Sequence, residues 1–160
     1  MRSSLSLLLL ATTSAAVGFA EAQRPFFSLF LKAERTVVAA GSTVQVKCLI
    51  TNKSGHTVSV RERSSMEDYR IEVWDAEGLS VSETELGRTL RDVSKGGVIL
   101  NRNFVAKVKS GATYEDTIDV SAFYEMQNAG KYRIRVQREL PKELGQGVVK
   151  SNTISVTVAP

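Results

Sequence analysis

The chain has 160 residues, 42% hydrophobic and 24% charged, with a formal net charge of +4, one cysteine and one histidine. A lone cysteine excludes an intramolecular disulfide. Basic residues spread along the chain rather than massed in a block argue against nucleic acid as a partner.

The first residues have the layout of a secretory leader: Arg2, an apolar run from Leu5 towards Phe19, then the small-residue exit Ala20-Glu21-Ala22. The run is short of the roughly 20 apolar residues that a membrane span needs. The expected cut lies between Ala22 and Gln23, with a cut after Ala20 as the alternative. Losing Arg2 and Glu21 leaves the net charge unchanged. Residues 23–160 are then expected to form a single soluble domain in the periplasm or outside the cell, with no membrane insertion after cleavage.

Two-residue alternation of apolar and polar side chains dominates the rest. Phe27, Leu29 and Leu31 mark a first strand, and Glu34 to Ala40 leads to a turn at Gly41. Val44, Val46, Cys48 and Ile50 form the apolar face of the next, which places Cys48 in the core as a small inert thiol. Asn52-Lys53-Ser54-Gly55 is a turn cluster and also a glycosylation triplet. Thr57 to Arg61 is a short strand with Val58 and Val60 inward, and Tyr69 to Trp74 is a strong one. Leu79 to Arg102 is irregular, with weak strand pieces at Leu79–Ser82 and Val98–Leu100. Glu83, Glu85, Arg88 and Arg91 read there as a mixed-charge surface segment.

Phe104 to Val108 and Tyr114 to Val120 are further strands. Ser121 to Met126 is expected to make one helical turn capped by Ser121. Lys131 to Arg138 follows, with Tyr132, Ile134 and Val136 inward. A long loop from Leu140 to Val149, containing Leu144, Gly145 and Gln146, precedes the last strand, Asn152 to Val158. Seven to nine short strands with almost no helix predict an all-β antiparallel sandwich.

No catalytic, metal or cofactor site is expected. His56 sits in a turn without partner ligands at metal spacing. Glu115, Asp116 and Asp119 point to different faces of one strand and do not form a calcium loop. Two segments can carry recognition. Alternation sends Arg70 and Trp74 outward, and if their strand neighbours Lys131–Arg138, then Arg133 and Arg135 join them on one sheet face. Aromatic and arginine side chains together are the composition of binding hot spots. The same residues can instead pair across strands and shield the sheet. The Leu144-Gly145-Gln146 loop is the second candidate.

Asn128-Ala129-Gly130-Lys131-Tyr132-Arg133-Ile134 resembles the approach to the sixth strand of immunoglobulin-type domains. That resemblance implies an immunoglobulin-like sandwich with Tyr132 in the tyrosine corner. It also implies that Cys48 and Ile134 occupy the two facing cysteine positions without a disulfide, and that Trp74 is a core tryptophan, against the alternation. The Thr51-to-Gly55 turn, Asp68-to-Asp75, Asp119-to-Tyr124 and Gly130-Lys131-Tyr132 are also similar to bacterial intracellular proteinase inhibitor domains. They are similar too to the β-domain preceding the catalytic domain of deuterolysin-type metallopeptidases, whose zinc motif this chain lacks. The sequence therefore predicts an exported, non-enzymatic binding or structural module whose partner is another protein. Protease inhibition is the alternative that the resemblance implies.

Overall fold

The computed structural model describes residues 26–95, 104–140 and 147–160. The leader with its cleavage site, the Val98–Leu100 segment, and Leu144, Gly145 and Gln146 lie outside the described residues.

The strands are β1 (Phe27–Ala33), β2 (Val37–Ala39), β3 (Gln45–Asn52), β4 (Val58–Glu62), β5 (Arg70–Trp74), β6 (Phe104–Val108), β7 (Thr113–Asp119), β8 (Gly130–Leu140), β9 (Gly147–Lys150) and β10 (Ile154–Ala159). Two helices, α1 (Ser65–Asp68) and α2 (Glu85–Lys95), flank β5 in sequence. The fold is all-β and sandwich-like. One sheet has the order β1-β3-β7, the other β2-β10-β8-β5 with β9 on the end of β8, and β4 pairs with β6. Apart from the parallel pair β2–β10, every strand pair is antiparallel.

Ten strands exceed the seven to nine expected because the two terminal strands are each interrupted. The N-terminal strand pairs with β3 as β1, then crosses to the other sheet and pairs with β10 as β2. Near the C-terminal side, β9 and β10 run along the same partner β8 with a break at Ser151-Asn152-Thr153. At that break Ser151 Oγ accepts from Val136 N at 3.0 Å. The Asn152 side chain meets β1 like a strand neighbour: Oδ1 accepts from Leu31 N at 2.7 Å and Nδ2 donates to Leu31 O at 3.0 Å. One side-chain amide thus ties the two sheets together.

The alternation places the core. Leu31, Val46, Cys48, Ile118, Ile134, Val136 and Val156 are among the side chains closed to solvent. Cys48 and Ile134 both lie in that core, on different sheets. Tyr132 OH donates to Asn128 O at 2.9 Å, four residues back along the chain. Among the described residues no helix is long and apolar enough to cross a membrane.

Three local expectations change. The segment after Glu83 is helical, where a surface stretch without helix was expected. Thr84 Oγ1 caps α2 by accepting from Gly87 N at 3.0 Å. Gly87 is required there, since a Cβ would come within 2.4 Å of Phe123 O. After Val120 the chain makes the expected single turn, Val120 O accepting from Phe123 N at 3.1 Å and Tyr124 N at 3.0 Å, but instead of Ser121 the capping acceptor is Asp119. Its Oδ1 takes bonds from Ser121 Oγ and Ala122 N, leaving Ser121 Oγ to accept from Val44 N. The Leu140–Val149 loop is shorter than expected, because Leu140 ends β8 and Gly147–Lys150 pairs back onto it.

Candidate functional site

Two groups of polar side chains flank β8, one on each face. The outer group is the predicted one. β5 pairs with β8 so that Trp74 stands opposite Arg133, Glu72 opposite Arg135 and Arg70 opposite Gln137. Ile71 and Val73 are buried, which sends Arg70, Glu72 and Trp74 outward as the alternation requires. Arg70 and Arg133 are exposed, and Glu72, Trp74 and Arg135 are half-buried. Trp74 is therefore neither a core tryptophan nor a free one.

Arg135 explains its half-burial. The guanidinium lies 5.2 Å from the centroid of the Trp74 ring, within the range of a cation–π contact. Its Nε also donates to Glu72 Oε2 at 2.8 Å, and Gln137 Nε2 donates to the same oxygen at 2.8 Å. Partial burial pushes the Glu72 carboxyl up, but the hydrogen bonds from Arg135 and Gln137 outweigh it and hold the group below the ordinary range. Cross-strand pairing thus occupies Arg135, Glu72 and one side of the indole. Among the described residues, Arg70 and Arg133 make no hydrogen bond or ion pair. Arg133 lies along the β5 turn, where a Cβ on Gly78 would sit 3.1 Å from its Nη2.

The inner group was not anticipated. Past Val136 the inward series of β8 continues to Arg138. Its Nη1 donates to Tyr69 OH at 2.9 Å, its Nη2 to Arg61 O at 2.7 Å, and Nη2 lies 3.9 Å from Asp68 Oδ1. Both side chains are nearly closed, 10% exposed for Arg138 and 5% for Asp68. Asp68 also accepts from Arg63 N at 2.7 Å and from Arg63 Nε at 3.2 Å. On β7, Asp116 stands opposite Cys48 of β3. Burial holds the Asp116 carboxyl above the ordinary range, with the Tyr69 hydroxyl and Arg138 pulling the other way. Tyr114 OH donates to Glu62 Oε1 nearby. Burial, with Asp116 next in effect, pushes the Cys48 thiol up to about 12, so it stays a neutral core residue at physiological pH. A detectable signal existed in the sequence: Asp116 and Arg138 both fall on the inward side of their strands, in series with Ile118 and Val136.

The other carboxylates considered for calcium are engaged elsewhere. Glu115 pairs with Lys47 at 2.5 Å, and Asp119 holds the turn described above. His56 contributes its backbone, with its carbonyl accepting from Asn52 Nδ2 at 2.8 Å and Ser54 Oγ at 3.0 Å. Asn52 is fully buried, and the same Nδ2 also donates to Val108 O at 2.9 Å. The nitrogen that glycosylation would modify is closed to solvent and doubly bonded in the folded protein.

No protein-family model matches the chain, and no curated protein matches it.

Proposed function

We propose that the chain is an exported, non-enzymatic immunoglobulin-like module that acts by binding another protein through the outer face of the β5–β8–β10 sheet. One observation carries this reading: Arg133 stands exposed opposite Trp74, and Arg70 stands exposed at the other end of β5 opposite Gln137, neither side chain with a hydrogen bond or ion pair among the described residues, while Arg135 between them is bonded to Glu72 and lies over the indole. Paired arginines shield a sheet, and unpaired ones beside an aromatic are available to a partner. The non-enzymatic part is supported by the inner group, whose thiol is buried and whose carboxylates face fixed partners. Tyr132 bonded to Asn128 O, with Cys48 and Ile134 in the core, supports the immunoglobulin-like assignment.

Affinity capture from the native envelope fraction tests the reading, using the wild-type chain and the Arg70→Ala/Arg133→Ala variant side by side. A protein retained by the wild type and lost by the variant supports it. Equal retention by both removes this face as the site. Export is tested by intact mass from an exporting host: the mature chain should begin at Gln23, and retention of residues 1–22 would refute a cleaved leader. The alternative, a protease-inhibitor-like domain, predicts stoichiometric inhibition of at least one enzyme in a protease panel.

A further inference from the structure

We propose that the partner presented to this face is an acidic, extended polypeptide segment whose carboxylates are taken by Arg133, with Lys131 beside it, and by Arg70 further along the sheet. This rests on the reading of the face as the docking surface and adds the chemistry of what docks.

The charge balance gives the sign. Lys131, Arg133, Arg135, Arg70 and Lys150 share the face with two carboxylates, Glu72 and Glu139, and Glu72 is already bonded to Arg135 and Gln137. Lys131, Arg133, Arg70 and Lys150 are all exposed, against Glu139 as the exposed carboxylate at the far end of β8. The spacing gives the shape. Lys131 and Arg133 are alternate residues of one strand, about 7 Å apart, which is the separation of alternate side chains on an extended peptide laid along the sheet. On β10, Thr157 stands opposite Lys131 and Ser155 opposite Arg133. Both are exposed, so a hydroxyl flanks each cation.

The chemistry of the partner follows from what is free. Stacking of a sugar ring needs an open aromatic face, and the Trp74 indole is half-buried with Arg135 lying over it. What the surface offers is guanidinium forks, which match carboxylates two bonds at a time. Arg133 lies against the Gly78 turn, so less side-chain freedom is lost on binding.

The test is fluorescence anisotropy with a labelled peptide of alternating Glu and Thr, titrated with the full chain. The Arg70→Ala/Arg133→Ala variant should weaken binding by about tenfold or more. The charge-matched control Lys107→Ala/Lys109→Ala, on β6 and the turn after it, should change it by less than about twofold, because it removes the same charge elsewhere. Equal weakening by both variants would mean diffuse attraction to a basic protein and would overturn the proposal. So would absence of binding, or displacement by polygalacturonate at lower carboxylate concentration than by unlabelled peptide. If envelope capture depends on Arg70 and Arg133 while the acidic peptide does not bind, the docking face stands and the acidic polypeptide falls. If neither responds to the variant, both fall.

Discussion

Arg133 and Arg138 lie five residues apart on β8 and therefore on opposite faces of the same strand. The outer one reaches solvent beside a half-buried tryptophan and makes no bond among the described residues. The inner one is closed off, bonded to a tyrosine hydroxyl and a backbone carbonyl, and aimed at a buried carboxylate. A buried cation is tolerated only where its donors are satisfied. Arg138 therefore serves the fold, while satisfaction is left incomplete on the outer side of the strand. The inner cluster holds more titratable groups, yet the outer face is the one proposed above for docking.

The largest expected effect comes from breaking the inner side. Arg138→Ala leaves Asp68 and Asp116 without their buried cation and should cost about 3–5 kcal/mol in urea denaturation. A loss below about 1 kcal/mol would show the cluster to be a solvated rim. Cys48→Ser places a hydroxyl on the same core wall and should cost about 1–3 kcal/mol, with Cys48→Ala milder. In the native wild type this thiol should resist labelling reagents.

Asp116 gives the inner side a pH signature. Its folded-state carboxyl is held above the ordinary range, so the folded state keeps a proton that the unfolded chain has already released. The stabilisation is complete below the ordinary carboxylate range and is lost as pH rises through the raised value. Stability of the wild type measured against Asp116→Asn should fall across that window and level off above it. A flat difference would show that the Tyr69 hydroxyl and Arg138 fully offset burial.

Changes on the outer side should be small for the fold. Trp74→Ala removes a half-buried ring and its cation–π contact and should cost about 1 kcal/mol. Its emission should lie between those of a buried and a free indole. A loss of about 3–5 kcal/mol would instead mark a core tryptophan. Arg133→Ala should stay within about 0.5 kcal/mol of wild type. A larger loss would mean that Arg133 supports the fold, and the contrast between the two faces would disappear.

Strict alternation made β1, β3, β5 and β8 legible, because one buried face imposes a period of two on the sequence. It also placed Trp74 outward, where the resemblance to immunoglobulin domains implied a buried ring. Helix α2 was concealed by charge. Its apolar positions, Leu86, Leu90 and Val93, do follow helical spacing, but Leu86 is half exposed and Gly87 reads as a breaker. The need for Gly87 comes from Phe123, a contact between segments that local pattern cannot show. β2 and β9 escaped notice because strands of three and four residues carry too little periodicity. The outer candidate was readable residue by residue, whereas the division of labour between Arg133 and Arg135 depends on strand register.

The crossing of the N-terminal strand from one sheet to the other has a mechanical consequence. β2 and β10 run parallel, so tension applied between the segment before β1 and the segment after β10 pulls the two strands in opposite directions along their common axis. Their hydrogen bonds then carry the load side by side in shear, instead of opening one after another as in a peeled hairpin. Asn152 adds a rivet by gripping Leu31 from the far sheet. Extension from the two ends must therefore break the β2–β10 bonds together before the sheets can part.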